Sequence, residues 1–197
     1  MTQTGIYNWD NIAPLARLAH NTAVAKGSWD ERRHGRYHYD HYMMLVLAKL
    51  GKAVEADRVN KWARLSNKTI KKLERLEGEH YTQMFVSEVK YSVEYEIANA
   101  CIRLLDFIGS MVKGEEVIEA FTLLPATSME TFTTQLLKAT EWLSNPFQEQ
   151  DTYKSNATRI VRILRTISKT FAFDLMKHVE LQMKYNATRP ALHGKKY

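Results

Sequence analysis

The stretch FVSEVKYSVEYEIANACIRLLDFIGSM, residues 85–111, decides how the chain is read. Val86, Val89, Val93, Ile97, Ala100, Leu104, Ile108 and Met111 recur in it at intervals of three and four, the apolar stripe that an amphipathic helix buries. A second row, Ser92, Glu96, Asn99, Arg103 and Asp106, follows the same interval beside the first. The spacing predicts one helix over 85–111 whose polar row forms the wall of a site. Glu96 and Asn99, three apart on one face, are placed to offer two oxygens to a single cation or ligand.

Outward from this helix the periodicity repeats. Ile12, Leu15, Leu18 and Ala19 mark a first helix over 9–25, with Asp10 or Asn11 as cap, Pro14 in the first turn and Gly27 at the end. The Arg-, His- and Tyr-rich run from Lys26 to Tyr39 reads as a loop. Met44, Leu45, Leu47, Ala48, Leu50, Val54 and Val59 give a second helix over 40–65. Only Gly51 interrupts it, and since glycine costs about 1 kcal/mol inside a helix, close packing is expected there. Residues 66–78 read as a short, charged, solvent-facing helix. Two shorter helices are expected over 115–124 and 128–143, separated by Pro125 and stopped by Asn145 and Pro146. Ile160, Ile163, Leu164, Ile167, Phe171, Leu175 and Val179 carry a last long helix over 153–185, ahead of Pro190. No strand alternation or internal repeat is present, so the predicted class is all-α, in a single domain over 1–197.

Composition narrows the partner more than the chemistry. The 197 residues are 45% hydrophobic and 25% charged, ordinary for a globular domain. Lys and Arg number 28 against 22 acids, a net charge of +6, and the pI is about 9.3. That excess favours an anionic partner. Basic residues cluster at Arg32, Arg33 and Arg36, at Lys68, Lys71 and Lys72, and at Lys195 and Lys196, and a solvated face explains most of them. No recognition motif accompanies the charge, which argues against nucleic acid as the partner. His34, His38 and His41 come with no cysteine and fit no metal spacing, so they read as exposed loop histidines. Cys101 is the single cysteine, which excludes an intrachain disulfide and suits a reducing interior. With no leader and no apolar run of spanning length, a cytoplasmic protein without a membrane partner is expected.

From residue types alone, a site lies between two helices, one offering Lys49, Lys52 and Glu55 and the other Glu94, Glu96, Asn99 and Arg103. Bundles hold divalent metals with carboxylates on facing helices. Lysine has the wrong sign for that work.

Four blocks add a resemblance: Lys26, Gly27, Ser28, Trp29 and Asp30; LAKLGKAVEADR at 47–58; VEYEIANACIRLLDFIG at 93–109; and MKYNATRPALHGKKY at 183–197. Together they resemble the MazG-like all-α nucleoside triphosphate pyrophosphohydrolases over nearly the whole chain, with residues 110–155 as a helical insertion. The resemblance implies a helical bundle in which an E-x-x-E pair on one helix and an E-x-x-D pair on the next bind magnesium, and an activated water splits a nucleoside triphosphate into monophosphate and pyrophosphate. Carried across, the first pair falls on Lys49 and Lys52 and the second on Glu96 and Asn99, so three of four ligands are replaced and Glu96 alone keeps its type. Tyr95 stands where the family commonly has another acid and Gln182 where a lysine is expected. Lys26, Trp29, Arg58, Arg103, Lys184, Tyr185, Asn186 and Arg189 match.

An ammonium can occupy the place of a missing cation and meet a phosphate directly, but it cannot make a nucleophile of water as magnesium does. The expectation is a protein that binds or sequesters a nucleotide or nucleotide-derived signal with little or no hydrolysis. Its expected ligand contacts are Lys49, Lys52, Glu96, Asn99 and Arg103 from the two central helices. Lys26 and Trp29 join them from the first block, and Lys184, Tyr185, Asn186, Arg189, Lys195 and Lys196 from the last, with the tail folded over the site. No metal or other cofactor is expected. Two alternatives stand beside it: an active magnesium-dependent pyrophosphohydrolase working through Glu55, Glu94 and Glu96, and a structural protein with a dead site. The resemblance further implies a homodimer or higher homo-oligomer.

Overall fold

Ser92 opens the central helix: its hydroxyl accepts the Tyr95 amide at 3.1 Å and leaves Glu94 and Glu96 in the first turn, where carboxylates suit the positive end of the helix. In this computed structural model, which describes residues 7–29, 38–120, 122–123, 130–143 and 150–190, the elements are all helical. They are α1 (Ala13–Ala25), α2 (His38–Arg58), α3 (Asn67–Arg75), α4 (Gly78–Glu88), α5 (Val93–Gly109), α6 (Phe132–Leu143), α7 (Gln150–Thr170) and α8 (Leu175–Thr188). The all-α reading holds, and among the described residues no helix is long and apolar enough to cross a membrane.

The helix expected over 85–111 is two helices. The chain leaves α4 at Val89 and turns at Tyr91, whose φ of 67° lies in the left-handed region. Ser92 then caps α5, and its competing side-chain acceptor is the local signal that the apolar periodicity hides. The helix expected over 153–185 divides in the same way. Ala172 takes φ 57°, and the Asp174 carboxylate caps α8 by accepting the Lys177 amide at 3.1 Å.

The helix expected over 40–65 ends at Arg58, and Asn60 and Arg64 both adopt positive φ in the connection that follows. That connection is moulded around the start of α5. The Val93 amide donates to the Lys61 carbonyl at 2.9 Å, and the Glu94 carboxylate accepts from the amides of Ala63 and Arg64 at 2.8 and 3.0 Å.

Residues 115–120 are not helical, against expectation. Their backbone pairs with the entry to α1 instead: Ile12 N–H donates to Ile118 C=O and Ala120 N–H to Trp9 C=O, each at 2.8 Å. Asn11 takes part in capping, as its side chain accepts from Ala13 and Ile118 amides. Pro125, Asn145 and Pro146 lie outside the described residues.

Inside, α5 is buried along most of its length and α1, α2, α7 and α8 pack around it, with α6 closing over α7. Ile12, Leu15, Val46, Leu50, Ile97, Leu104, Ile108, Ile160, Leu164 and Val179 share one core. A smaller cluster of Leu73, Tyr81, Phe85, Tyr95, Leu181 and Tyr185 anchors α3 and α4 to α8. Cys101 is buried in the core, and that burial pushes its thiol up to about 12. Close packing falls not at Gly51, where a Cβ would meet nothing, but at Gly109. There a Cβ would lie 2.7 Å from the Ala16 carbonyl carbon and 2.8 Å from His20 Cβ, and closer still to the Ala16 oxygen.

Candidate functional site

The polar row of α5 forms the floor of a cavity of about 310 Å³. Of the expected polar row, Glu96, Asn99, Arg103 and Asp106 line it, while Ser92 caps the helix instead. Ala19, Thr22, Ala23 and Lys26 of α1 and the following turn make one wall, and His41, Tyr42, Leu45, Lys49 and Lys52 of α2 make the other. Met183, Asn186 and Arg189 at the C-terminal end of α8 and Lys90 and Tyr91 from the α4–α5 turn complete the lining.

Lys49 stands at the centre of this arrangement. Its Nζ donates to Glu96 Oε2 at 3.0 Å, with the two side chains only 14% and 5% exposed. Burial pushes the Lys49 amine below its ordinary value; Glu96 pulls it back up, while Lys52 and Arg103 nearby push it further down. Lys52, one turn on, lines the same cavity from a more exposed position.

Arg103 projects from the floor two turns beyond Glu96. Among the described residues no carboxylate lies within ion-pair distance of it, though Asp106 and Glu96 on the same helix offset part of its charge. Asn99 donates its amide N–H to the Tyr95 carbonyl at 2.9 Å, which leaves its oxygen as an acceptor at the floor.

Asp106 plays a different part. Its Oδ1 accepts from Trp29 Nε1 at 2.8 Å and meets His20 Nδ1 at 3.1 Å, and Tyr42 also bonds to it. Burial raises the Asp106 carboxyl while these donors lower it. Trp29 in turn packs edge-on against His20 and tilted against Tyr42, with centroids 4.9 and 4.8 Å away. The turn that delivers it is a C-terminal helix stop: Gly27 takes φ 81°, its amide donates to Val24, and the Ser28 amide donates to Ala23. Trp29 therefore holds α1, α2 and α5 together from behind the cavity and does not line it.

Other expected contacts also have structural work. Lys26 lines the cavity, and its Nζ donates to the carbonyls of Ala187 and Arg189, capping α8. Asn186 lines it too, its oxygen taken by Gln182 Nε2 at 2.8 Å. Lys184 points elsewhere: it donates to the Glu74 and Leu76 carbonyls at 3.0 and 2.6 Å and pairs with Glu77, closing the C-terminal end of α3. Tyr185 is buried in a stack on Phe85, centroids 4.6 Å apart. Lys195 and Lys196 lie outside the described residues, as do Arg32, Arg33, Arg36 and His34. Lys68, Lys71 and Lys72 are exposed on or beside α3.

Glu55 and Glu94 do not reach the cavity. Glu55 is solvent-exposed and paired with Arg58 at 2.6 Å. Glu94 is 0% exposed and spent on the two loop amides. Replacing Glu94 with Ala leaves those amides short of an acceptor and is expected to cost about 2 kcal/mol in a denaturant titration, with no change in ligand affinity. Loss of affinity without loss of stability would show instead that this carboxylate serves the cavity.

The carboxylates lining the cavity are Glu96 and Asp106, ten residues apart on one helix, or about 15 Å along its axis. They cannot meet on one cation, and among the described residues no cluster of three His, Cys, Asp or Glu is placed to hold a metal. This donor set does not fit magnesium. The cations instead number six: Lys26, Lys49, Lys52, Lys90, Arg103 and Arg189. Lys90 and Tyr91 escaped the sequence reading because an unbroken helix would have spaced them as ordinary helix positions. His41, expected in a loop, is a half-buried part of the α2 wall.

The lowered Lys49 amine gives a pH signature with two opposite signs. Because the folded chain holds this proton less tightly than the unfolded one, its contribution to stability rises as pH passes through the folded value toward the usual lysine value of about 10.4. Anion affinity should fall over the same window, beginning below the point where a solvated lysine titrates. Thermal melts and ligand titrations between neutral and alkaline pH read the two trends. Affinity that stays flat would mean that the Lys49 charge is not used.

Fold and site together define an all-α bundle with a cationic cavity of about 310 Å³ on the polar face of α5. No family model matches the chain, and comparison with curated proteins and with solved structures gives no match either.

Proposed function

We propose that this chain binds a phosphorylated small molecule, a nucleotide or nucleotide-derived signal, without a metal and with little or no hydrolysis. The observation that carries the reading is the Lys49 ammonium on Glu96, an internal cation at a position where the MazG-like resemblance expects a metal ligand. Around it the cavity presents more positive than negative side chains, and both of its carboxylates are engaged by donors from the protein. Phosphate is the ligand that such a surface discriminates best, because each contact becomes a charge-assisted hydrogen bond. Aromatic and apolar surface at Tyr42, Leu45, Tyr91, Tyr95, Ile102 and Met183 leaves room for a base or sugar.

Hydrolysis by the family's route needs a metal to lower the pKa of the attacking water. Glu96, bonded to Lys49, and Asn99, a neutral amide, do not supply that. The reading is tested by thermal shift with a panel of nucleoside mono-, di- and triphosphates in a chelating buffer, alongside a pyrophosphate-release assay. A raised melting temperature without product is expected. Steady pyrophosphate release that Glu96→Gln abolishes would replace this reading with the hydrolase. The self-assembly into a homo-oligomer that the resemblance implies is part of the same proposal.

A further inference from the structure

Apart from Lys26, whose amine is spent on the Ala187 and Arg189 carbonyls, the cations of the cavity fall into two groups. Lys49 and Lys52 stand one turn apart on α2, facing Glu96 and Arg103 of the floor. Lys90 and Arg189 form the second group, one from the α4–α5 turn and the other at the end of α8, where both approach the same ring: their charged groups lie 5.9 and 5.7 Å from the centroid of Tyr185. Lys90 also sits 4.8 Å from the Tyr91 ring and bonds to the phenols of Tyr91 and Tyr185. Among the described residues it has no carboxylate partner. The left-handed turn at Tyr91 is what brings Lys90 to the cavity.

Tyr95 lies between the groups. Lys49 is 5.9 Å from its ring centroid, and Tyr91 meets it edge-on at 6.0 Å. The result is a positive locus at each end of a short aromatic wall. Glu96 offsets Lys49 in the first locus, which Lys52 and Arg103 keep positive, and Lys90 carries the charge of the second without a carboxylate partner among the described residues. A linear polyphosphate concentrates its charge at one end and would neutralise one locus. Two phosphates attached at separate points of one molecule would neutralise both. The cavity, about 310 Å³, admits one nucleotide-sized body and not a strand.

Resting on the proposed nucleotide reading, we infer that the preferred ligand is a small molecule with two separated phosphate monoesters, of the class of a nucleoside 3′,5′-bisphosphate, one phosphate on Lys49, Lys52 and Arg103 and the other on Lys90 and Arg189. Lys90 is the residue that distinguishes such a ligand from a linear diphosphate with the same number of phosphates.

The experiment is calorimetric titration of the full chain, in a chelating buffer, with the 3′,5′-bisphosphates and the 5′-diphosphates of the four common ribonucleosides. For at least one base the bisphosphate should bind about tenfold or more tightly than its diphosphate. Lys90→Ala should remove that preference and leave diphosphate affinity within about threefold, while Lys90→Arg restores the preference by keeping the charge. Equal affinity for the two isomers, or an equal loss of both in Lys90→Ala, overturns the two-locus inference and leaves the nucleotide reading standing. Binding of neither isomer, with no triphosphate binding either, overturns both.

Discussion

Gly109→Ala is expected to lower the melting temperature by about 6–12 °C, the shift for about 3 kcal/mol in a chain of this size. Helices α1 and α5 approach closely where Gly109 faces Ala16, and the atoms a methyl group would strike are the backbone carbonyl of Ala16 and the first side-chain carbon of His20. Neither can swing away as the end of a flexible side chain does. The helices would have to separate, and separation disturbs the His20, Trp29 and Tyr42 contacts to Asp106, one turn back along α5. A fall in stability should therefore come with a change in Trp29 fluorescence. Gly51→Ala is the control: a Cβ there touches nothing, and replacing a mid-helix glycine should stabilise by up to about 1 kcal/mol.

The double variant Lys49→Glu with Lys52→Glu is expected to lose anion affinity by a hundredfold or more. Each lysine contributes a charge-assisted contact of about 1.5–3 kcal/mol, and the reversal adds repulsion against the same phosphate. In the variant the residue at position 49 would also confront Glu96, which now accepts from Lys49 at 3.0 Å within a largely buried pair. A modest loss of intrinsic stability follows from that like-charge contact, and circular dichroism separates it from loss of binding. Full retention of affinity would place the phosphate elsewhere. A change in stability alone, in a chain whose parent binds no anion, would mark the site as purely structural.

Much of this site was legible because it lies on one helix. Glu96, Asn99, Arg103 and Asp106 share a face through the helical repeat alone, and the cavity floor follows from their spacing. The facing Lys49 and Lys52 were legible for the same reason, since their interval puts both on one side of α2. Residue type misleads where tertiary contacts assign the work. Nothing local says that Glu94 turns away from the cavity to hold the amides of Ala63 and Arg64, or that Lys184 closes α3 more than a hundred residues earlier in the chain. Trp29 is expected among ligand contacts from its block alone, whereas its indole N–H is spent on Asp106.

The two breaks at residues 89–92 and 171–174 show a different limit. Apolar spacing continues across both, because the helices on either side feed the same core. Ser92 and Asp174, each an N-cap with a side-chain acceptor, were the available signals. Missing the first break also concealed Lys90, the residue on which ligand discrimination is proposed to turn. The expected helix over 115–124 failed because residues 118 and 120 satisfy their backbone against the chain at Trp9 and Ile12, a pairing that no periodicity records.

Replacement of a metal by fixed ammonium charge is tested most directly by titrating the chain calorimetrically with one nucleoside phosphate twice, once in EDTA and once in excess magnesium. Binding in EDTA should be as tight as in magnesium or tighter, since a metal on the phosphates neutralises the charge that Lys49, Lys52 and Arg103 recognise. Heat of binding that appears only when magnesium is present would contradict it.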